Sequence, residues 1–160
     1  MQQRVLRALW ILAGLTALGA MGAVAYGVWP LLFPEVMETA ALDEDCDLRA
    51  GPCASQLPGG GSVSFQIQPA SIPVMQPLQL EVMLEGAEAS AVELDFRGVD
   101  MNMGLNRARL DAQADGRFRG EGILPVCMSQ RMLWEARVLL KTDRGMVAAP
   151  FRFWTVRPGS

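Results

Sequence analysis

The stretch LQLEVML, residues 78–84, places a large aliphatic side chain at every second position. Side chains of an extended strand point alternately to its two sides, so the three leucines and Val82 share one face. A strand that buries one face in a core and leaves the other in solvent shows this period of two. The chain from residue 62 onward repeats the pattern, which predicts a β protein.

Five further stretches alternate with the same period: SVSFQIQ (62–68), AVELDF (91–96), GRFRGEGIL (116–124), MLWEARVLLK (132–141) and AAPFRFWTV (148–156). A segment at residues 103–110 completes a set of seven candidate strands. Short alternating strands separated by turn signals, such as Asp115–Gly116, are typical of a small sandwich. We therefore predict an all-β, seven-stranded immunoglobulin-like β-sandwich over residues 62–157, tethered by one N-terminal transmembrane helix.

The N-terminal part of the chain has a different composition. Residues 8–33, ALWILAGLTALGAMGAVAYGVWPLLF, contain no charged side chain, and a membrane-spanning helix needs about 20 apolar residues. Arg4 and Arg7 precede this run and several acidic residues follow it, so the positive-inside rule places the N-terminus in the cytoplasm. We expect residues 1–33 to be a membrane anchor and the remainder to lie outside the cytoplasmic membrane.

A cleaved signal peptide is the alternative interpretation, because AVA at residues 23–25 has the small-x-small pattern of a cleavage site. The apolar run is longer than a signal core of about 7–15 residues and continues beyond that site, which favours the anchor. Both interpretations place residues 34–160 in the same compartment. That compartment is expected to be oxidising, where disulfide bonds persist.

Residues 34–61 are acidic at first, then rich in proline and glycine, and end in PGGG. The segment has no sustained periodicity, which predicts a flexible tether. It contains two of the three cysteines, Cys46 and Cys53. The short loop between them suits a disulfide bond. The alternative is a thiol pair that cycles between its reduced and oxidised forms.

The composition argues against several classes of function. A formal net charge of −3 offers no basic surface for nucleic acid. The chain has no histidine, which removes the usual general base of Ser–His and Cys–His nucleophiles and the imidazole ligand of many metal sites. We see no glycine-rich phosphate loop between a strand and a helix. We therefore expect a protein that is not an enzyme.

Sulfur-bearing side chains are concentrated in two short stretches: Met101 and Met103 in VDMNMGLNRARL (99–110), and Cys127, Met128 and Met132 in LPVCMSQRMLW (124–134). Thioethers and thiolates select Cu(I) among the biologically available ions. If residues 101–103 are extended, both of their thioethers point to one side. We predict that one Cu(I) is held by Met101, Met103, Cys127 and Met132, with Met128 as a fifth candidate and with Asp100 and Asn102 as supporting groups around the ligands.

Packing is the alternative role for these methionines, because methionine commonly fills gaps in a core and the chain has ten of them. On that interpretation one of Met101 and Met103 is buried and the other is exposed by chance. Met75, Met83 and Met146 lie outside the two stretches, and we assign all three to the core.

One N-terminal span followed by a β domain that contains DMNMG and LPVCMSQRMLW resembles the YtkA-like and FixH-like group of bacterial membrane-anchored proteins. The two stretches also resemble the copper-site motifs of periplasmic Cu(I) chaperones of haem–copper oxidase assembly. The resemblance implies that Met101 and Met103 form one arm of a Cu(I) site and that Cys127 and Met132 form the other. The chain lacks the histidines of those chaperones, which argues against Cu(II) binding.

These features lead to the hypothesis of a single-pass protein of the bacterial inner membrane with its C-terminal domain in the periplasm. It would act as a Cu(I) chaperone or assembly factor, with a membrane-bound haem–copper oxidase or its assembly factors as partners. The alternative is a metal-free assembly or interaction subunit of a membrane complex. GLTALGAMGA, residues 14–23, supports that alternative, because its small residues have the spacing of helix-packing interfaces.

Overall fold

The computed structural model describes residues 2–32, 36–126 and 129–156. The chain divides into two compact units, Met1–Glu35 and Val36–Ser160. In the first unit the described residues form one helix, α1, Gln2–Leu32. Its 19-residue segment Trp10–Val28 is long and apolar enough to cross a membrane, since an α-helix of that length rises about 28 Å and the hydrocarbon core is about 30 Å thick. The predicted N-terminal apolar helix is confirmed.

The described residues of the second unit, hereafter the β unit, form nine strands: β1 Val36–Thr39, β2 Cys53–Gln56, β3 Ser62–Gln68, β4 Pro77–Glu85, β5 Ala91–Gly98, β6 Arg107–Ala112, β7 Arg117–Ile123, β8 Arg131–Thr142 and β9 Gly145–Val156. The strands predicted from residue 62 onward correspond to β3 to β9, except that the segment predicted at residues 103–110 begins as a strand only at Arg107. The predicted total of seven strands is wrong, because the segment before residue 62 contributes two more. The prediction of a β protein with one N-terminal helix is confirmed.

The nine strands form one hydrogen-bonded sheet in the order β1-β9-β8-β5-β6-β7-β4-β3-β2. The β1–β9 pair is parallel and the other pairs are antiparallel. β6 connects the two halves of the sheet: residues 107–110 pair with β5, and Asp111 and Ala112 pair with β7. The sheet therefore continues from one half to the other through a single strand.

The two halves of the sheet face each other across a common core. Phe65 of β3 and Phe151 of β9 lie far apart in the strand order, yet their ring centroids are 5.5 Å apart. The sheet must therefore curl. Trp134 of β8 is fully buried, and its Nε1 donates a hydrogen bond of 2.9 Å to Thr155 Oγ1 of β9. That bond satisfies the indole N–H, so the tryptophan is buried without an unpaired polar group.

Residues 36–57 belong to the fold, and the prediction of a flexible tether over residues 34–61 is wrong for this part. β1 pairs with β9 and β2 pairs with β3, one at each edge of the sheet. Leu48 and Cys53 are each only 1% exposed and belong to the core. Cys46 and Cys53 form a disulfide bond, as predicted. The two strands have four residues each, which is too short for a reliable periodicity in the sequence.

The burial of Leu48 leads to a test of this correction. We expect Leu48→Ala to lower the free energy of unfolding of the β unit by about 2–5 kcal/mol, because the change removes buried methyl groups and leaves a cavity. Chemical denaturation of the protein, followed by tryptophan fluorescence, measures this loss.

Leu105→Ala is the matched control, because Leu105 is 76% exposed. We expect it to change the free energy of unfolding by no more than about 0.5 kcal/mol. If both variants unfold alike, residues 36–57 contribute nothing to the core and the tether prediction stands.

Candidate metal centre

The loop that carries Met101 and Met103 connects β5 to β6. β5 ends at Gly98, which lies opposite Trp134 of the neighbouring strand β8. The next residue still joins that strand, because the Val99 N–H donates a 3.0 Å hydrogen bond to the Leu133 carbonyl. The chain from residue 101 to 106 then runs without regular secondary structure. The two methionines are therefore not on an extended strand, and alternation does not determine where their side chains point.

Gly98 is the point at which the sulfur-bearing residues meet. A Cβ atom built on Gly98 would lie 2.3 Å from Met132 Cε, 2.3 Å from the Met101 carbonyl oxygen and 3.2 Å from Met103 Cγ. Because both atoms lie close to the Cβ position of Gly98, Met132 Cε and Met103 Cγ also lie close to each other. The structure thus brings Met103 and Met132 together, over a glycine whose missing side chain leaves the space that they occupy.

The three described candidate ligands differ in burial. Met132 is 4% exposed and Met103 packs against the core, whereas Met101 is 45% exposed. The packing alternative predicts one buried and one exposed methionine in the 99–106 loop, and the structure comes close to this with a partly buried Met103 and an exposed Met101. The packing alternative does not, however, predict that Met103 meets the second sulfur stretch at Met132.

Cys127 and Met128 lie outside the described residues. The chain before them is anchored, because Leu124 is fully buried, and it has reached the surface at Val126, which is 46% exposed. Met132 follows on β8 as the first buried residue of that strand. Two of the four predicted ligands are therefore brought together, and a third, Met101, lies on the same loop as Met103.

Asn102 and Asn106 hold the 99–106 loop through hydrogen bonds. The Asn102 side-chain oxygen accepts a 2.9 Å bond from the Gly104 N–H. The Asn106 carbonyl accepts a 2.9 Å bond from the Phe96 N–H. Asn102 was predicted to support the ligands, and its bond to Gly104 shows that it supports the backbone of their loop.

An ion cluster around the buried Asp95 carboxylate lies at the two ends of the same loop. Asp95 of β5 is 1% exposed and accepts a 2.7 Å hydrogen bond from Arg97 Nε. Arg107 Nε of β6 lies 3.8 Å from the other carboxylate oxygen and makes no hydrogen bond within the described part of the chain. A buried charge is tolerated where an opposite charge compensates it, so the cluster favours one position of β5 against β6.

The described residues offer sulfur rather than a set of oxygen and nitrogen ligands. Over residues 2–32, 36–126 and 129–156, no three histidine, cysteine or acidic side chains come together as a metal-binding group. The donor set at Gly98 consists of thioethers, which prefer soft ions such as Cu(I).

Comparison of the chain with protein-family models, with curated proteins and with solved structures finds no match.

Met75, Met83 and Met146 were predicted to lie in the core, and the structure contradicts this. Met75 is 63% exposed and has a positive φ of 59°. Met83 and Met146 are partly buried, and neither belongs to the core cluster. The sequence did contain a signal, because Pro73 and Pro77 flank Met75, and prolines at this spacing favour a loop over a strand.

The space over Gly98 that Met103 and Met132 occupy leads to a second test. We expect Gly98→Ala to lower the free energy of unfolding by about 1–3 kcal/mol, because the new methyl group overlaps a backbone carbonyl and the end of the Met132 side chain. Denaturation gives the loss in stability. The methyl resonances of Met103 and Met132 should shift in the NMR spectrum of the same variant.

Gly51→Ala is the control for this test, since a Cβ atom at Gly51 meets nothing within 4 Å. We expect it to leave stability unchanged or to raise it by about 0.4–1 kcal/mol through the unfolded state. Equal effects of the two substitutions would contradict the convergence of methionines at Gly98.

Proposed function

We propose that the protein is a membrane-anchored Cu(I)-binding protein on the periplasmic side of a bacterial inner membrane. The observation that carries the proposal is the convergence of Met103 and Met132 on Gly98. Thioether sulfur is a soft, neutral donor that binds Cu(I) in preference to hard divalent ions. Met103 and Met132 place two thioethers at the end of the core, and the exposed Met101 lies on the loop of Met103. These side chains can supply the first ligands of a Cu(I) site.

Met101 and Cys127 would complete the coordination. Met101 adds a third thioether on the loop of Met103, and Cys127 adds a thiolate from the segment that leads into β8. The thiolate charge would balance that of Cu(I), whereas three thioethers alone would leave a positive charge at the edge of a buried core. Three of these four sulfurs give trigonal coordination, and all four give tetrahedral coordination.

A delivery role fits such a site, with Cu(I) as the cargo. Transfer between sulfur ligands needs no change in the oxidation state of copper. A membrane anchor would raise the effective concentration of the protein near a membrane-bound acceptor. We propose a haem–copper oxidase or its assembly factors as that acceptor, in line with the resemblance to YtkA-like and FixH-like proteins.

The curled sheet, whose halves face each other at Phe65 and Phe151, supports an immunoglobulin-like sandwich as the description of the fold.

Three features support the proposed location. Trp10–Val28 is long and apolar enough for one crossing of the membrane. Arg4 and Arg7 precede this segment, and positive charge marks the cytoplasmic side. The Cys46–Cys53 disulfide belongs to an oxidising compartment such as the periplasm.

An anaerobic Cu(I) titration of the protein, with its Cys46–Cys53 disulfide intact, against a competing chelator tests the proposal. We expect binding with one-to-one stoichiometry. The double variant Met103→Leu, Met132→Leu keeps side-chain volume but removes both thioethers, and we expect it to bind at least about 10–100-fold more weakly, because ligands matter no less than the groups that support them. Cys127→Ser should weaken binding further.

The double variant Met83→Leu, Met146→Leu is the matched control, since it also replaces two methionines of the β unit but leaves those at Gly98 unchanged. It should bind Cu(I) like the parent protein. If the parent does not bind Cu(I), or if both double variants bind equally well, the methionines at Gly98 serve packing alone.

A metal-free interaction subunit is the second candidate function, and it is favoured by exposed apolar groups. Val99, Leu105, Ile123 and Val126 are each more than two-fifths exposed. In α1, Gly14, Gly19 and Gly22 have nothing within 4 Å of an added Cβ. Small residues on a membrane helix allow another helix to approach closely. On this alternative the protein acts by docking to a membrane complex.

A comparison in cells separates the two functions. The helix variant Gly19→Leu, Gly22→Leu blocks close helix packing, and the variant Met103→Leu, Met132→Leu removes thioethers. Oxidase activity of the membranes should fall in the thioether variant if copper delivery is the function. Loss of activity in the helix variant, with full activity in the thioether variant, would establish the docking alternative instead.

A further inference from the structure

Met75 is exposed, although nearby residues of the same loop pack in or against the core. Ile72 is 2% exposed and Val74 packs against the core. Met75, one residue further, has a φ of 59°, a left-handed conformation that bulky residues rarely adopt. An unfavourable conformation persists only where the surrounding structure holds it, and such residues cluster at functional sites. Met75 combines this conformation with exposure of 63% of the residue.

The Met75 backbone is tied to the segment that leads to Cys127. The Met75 N–H donates a 2.8 Å hydrogen bond to the Leu124 carbonyl. Asn106, at the end of the loop of Met101 and Met103, donates a 3.0 Å hydrogen bond from its side-chain amide to the Ile123 carbonyl. Adjacent carbonyls of one segment therefore hold both loops. The loop of Met75, the 99–106 loop and the segment before Cys127 lie together at one end of the β unit.

Cu(I) bound at the buried Met132 thioether has to be exchanged through exposed sulfurs, and Met101 and Met75 are both exposed residues of the β unit. Met132 is 4% exposed, so an incoming donor or acceptor of Cu(I) cannot reach its sulfur directly. A sulfur that first receives the ion has to be accessible to solvent and held close to the inner ligands. Met75 is accessible, and the bond to Leu124 holds it at the correct end of the β unit.

We propose that Met75 is a further sulfur ligand, through which Cu(I) is exchanged between the Met103–Met132 pair and a thiol or thioether outside the protein. This inference rests on the proposed function. On release, a copper–sulfur bond to Met75 forms as a bond to an inner methionine breaks, and the bond to Met75 then breaks as the external sulfur binds. Copper remains Cu(I) throughout, and the neutral thioether neither gains nor loses a proton.

The test is the rate of copper release from the full-length protein in detergent micelles. The protein is loaded with one equivalent of Cu(I) and mixed anaerobically, in a stopped-flow instrument, with an excess of bathocuproine disulfonate, whose Cu(I) complex is coloured. We expect Met75→Leu to slow release severalfold while the affinity at equilibrium stays within twofold of the parent value. Leucine matches methionine in size and is equally unfavourable at a positive φ.

Met83→Leu is the control, because Met83 is a partly buried methionine of β4, and its release rate should equal that of the parent protein. Parental release from Met75→Leu would overturn the proposal while leaving the proposed function intact. A parallel loss of affinity would place Met75 among the permanent ligands and would also overturn the exchange role. Failure of the parent protein to load Cu(I) would overturn both proposals, and the loading step reveals it first.

Discussion

Strand β6 changes its partner along its length, and the core of the β unit depends on that change. Its first residues pair with β5 and its last two pair with β7. β7 approaches closely at this point, because a Cβ on Gly120 would lie 2.7 Å from the Arg109 carbonyl oxygen. Only glycine permits so close a contact. With β6 shared in this way the sheet curls, and Phe65 and Phe151 meet from its two halves.

The candidate site lies where this shared core ends. Trp134 is buried opposite Gly98, and Met132 lies two residues earlier on the same face of β8. The Met103 side chain reaches the same point from the 99–106 loop. Methionine is flexible enough to fill such an end and is also a soft ligand. Packing and copper binding are therefore compatible roles for the same two side chains, because the atoms that close the core also present sulfur.

The two edges of the sheet are protected by the segment that precedes β3. β1 covers one side of β9 and β2 covers one side of β3, and each has only four residues. Short edge strands offer little backbone for pairing with another chain. The Cys46–Cys53 disulfide closes the loop that contains Leu48 and connects it to β2. The bridge is therefore part of the β unit.

The sequence alone determined the features that repeat locally. An uncharged apolar run predicts α1, and alternation predicts β3, β4, β5, β7, β8 and β9, because each pattern is written in consecutive residues. The sequence also gives the residue types of the candidate ligands, which are methionine and cysteine in a chain that has no histidine. Sulfur ligands of this kind favour Cu(I). The sequence did not predict β1 and β2, because strands of four residues are too short to show a pattern and form by pairing with β9 and β3. Tertiary structure alone decided that Met103 meets Met132 and that the Met75 backbone is bonded to Leu124. Such contacts depend on the register of distant strands and on loop backbone conformation, which no local periodicity encodes.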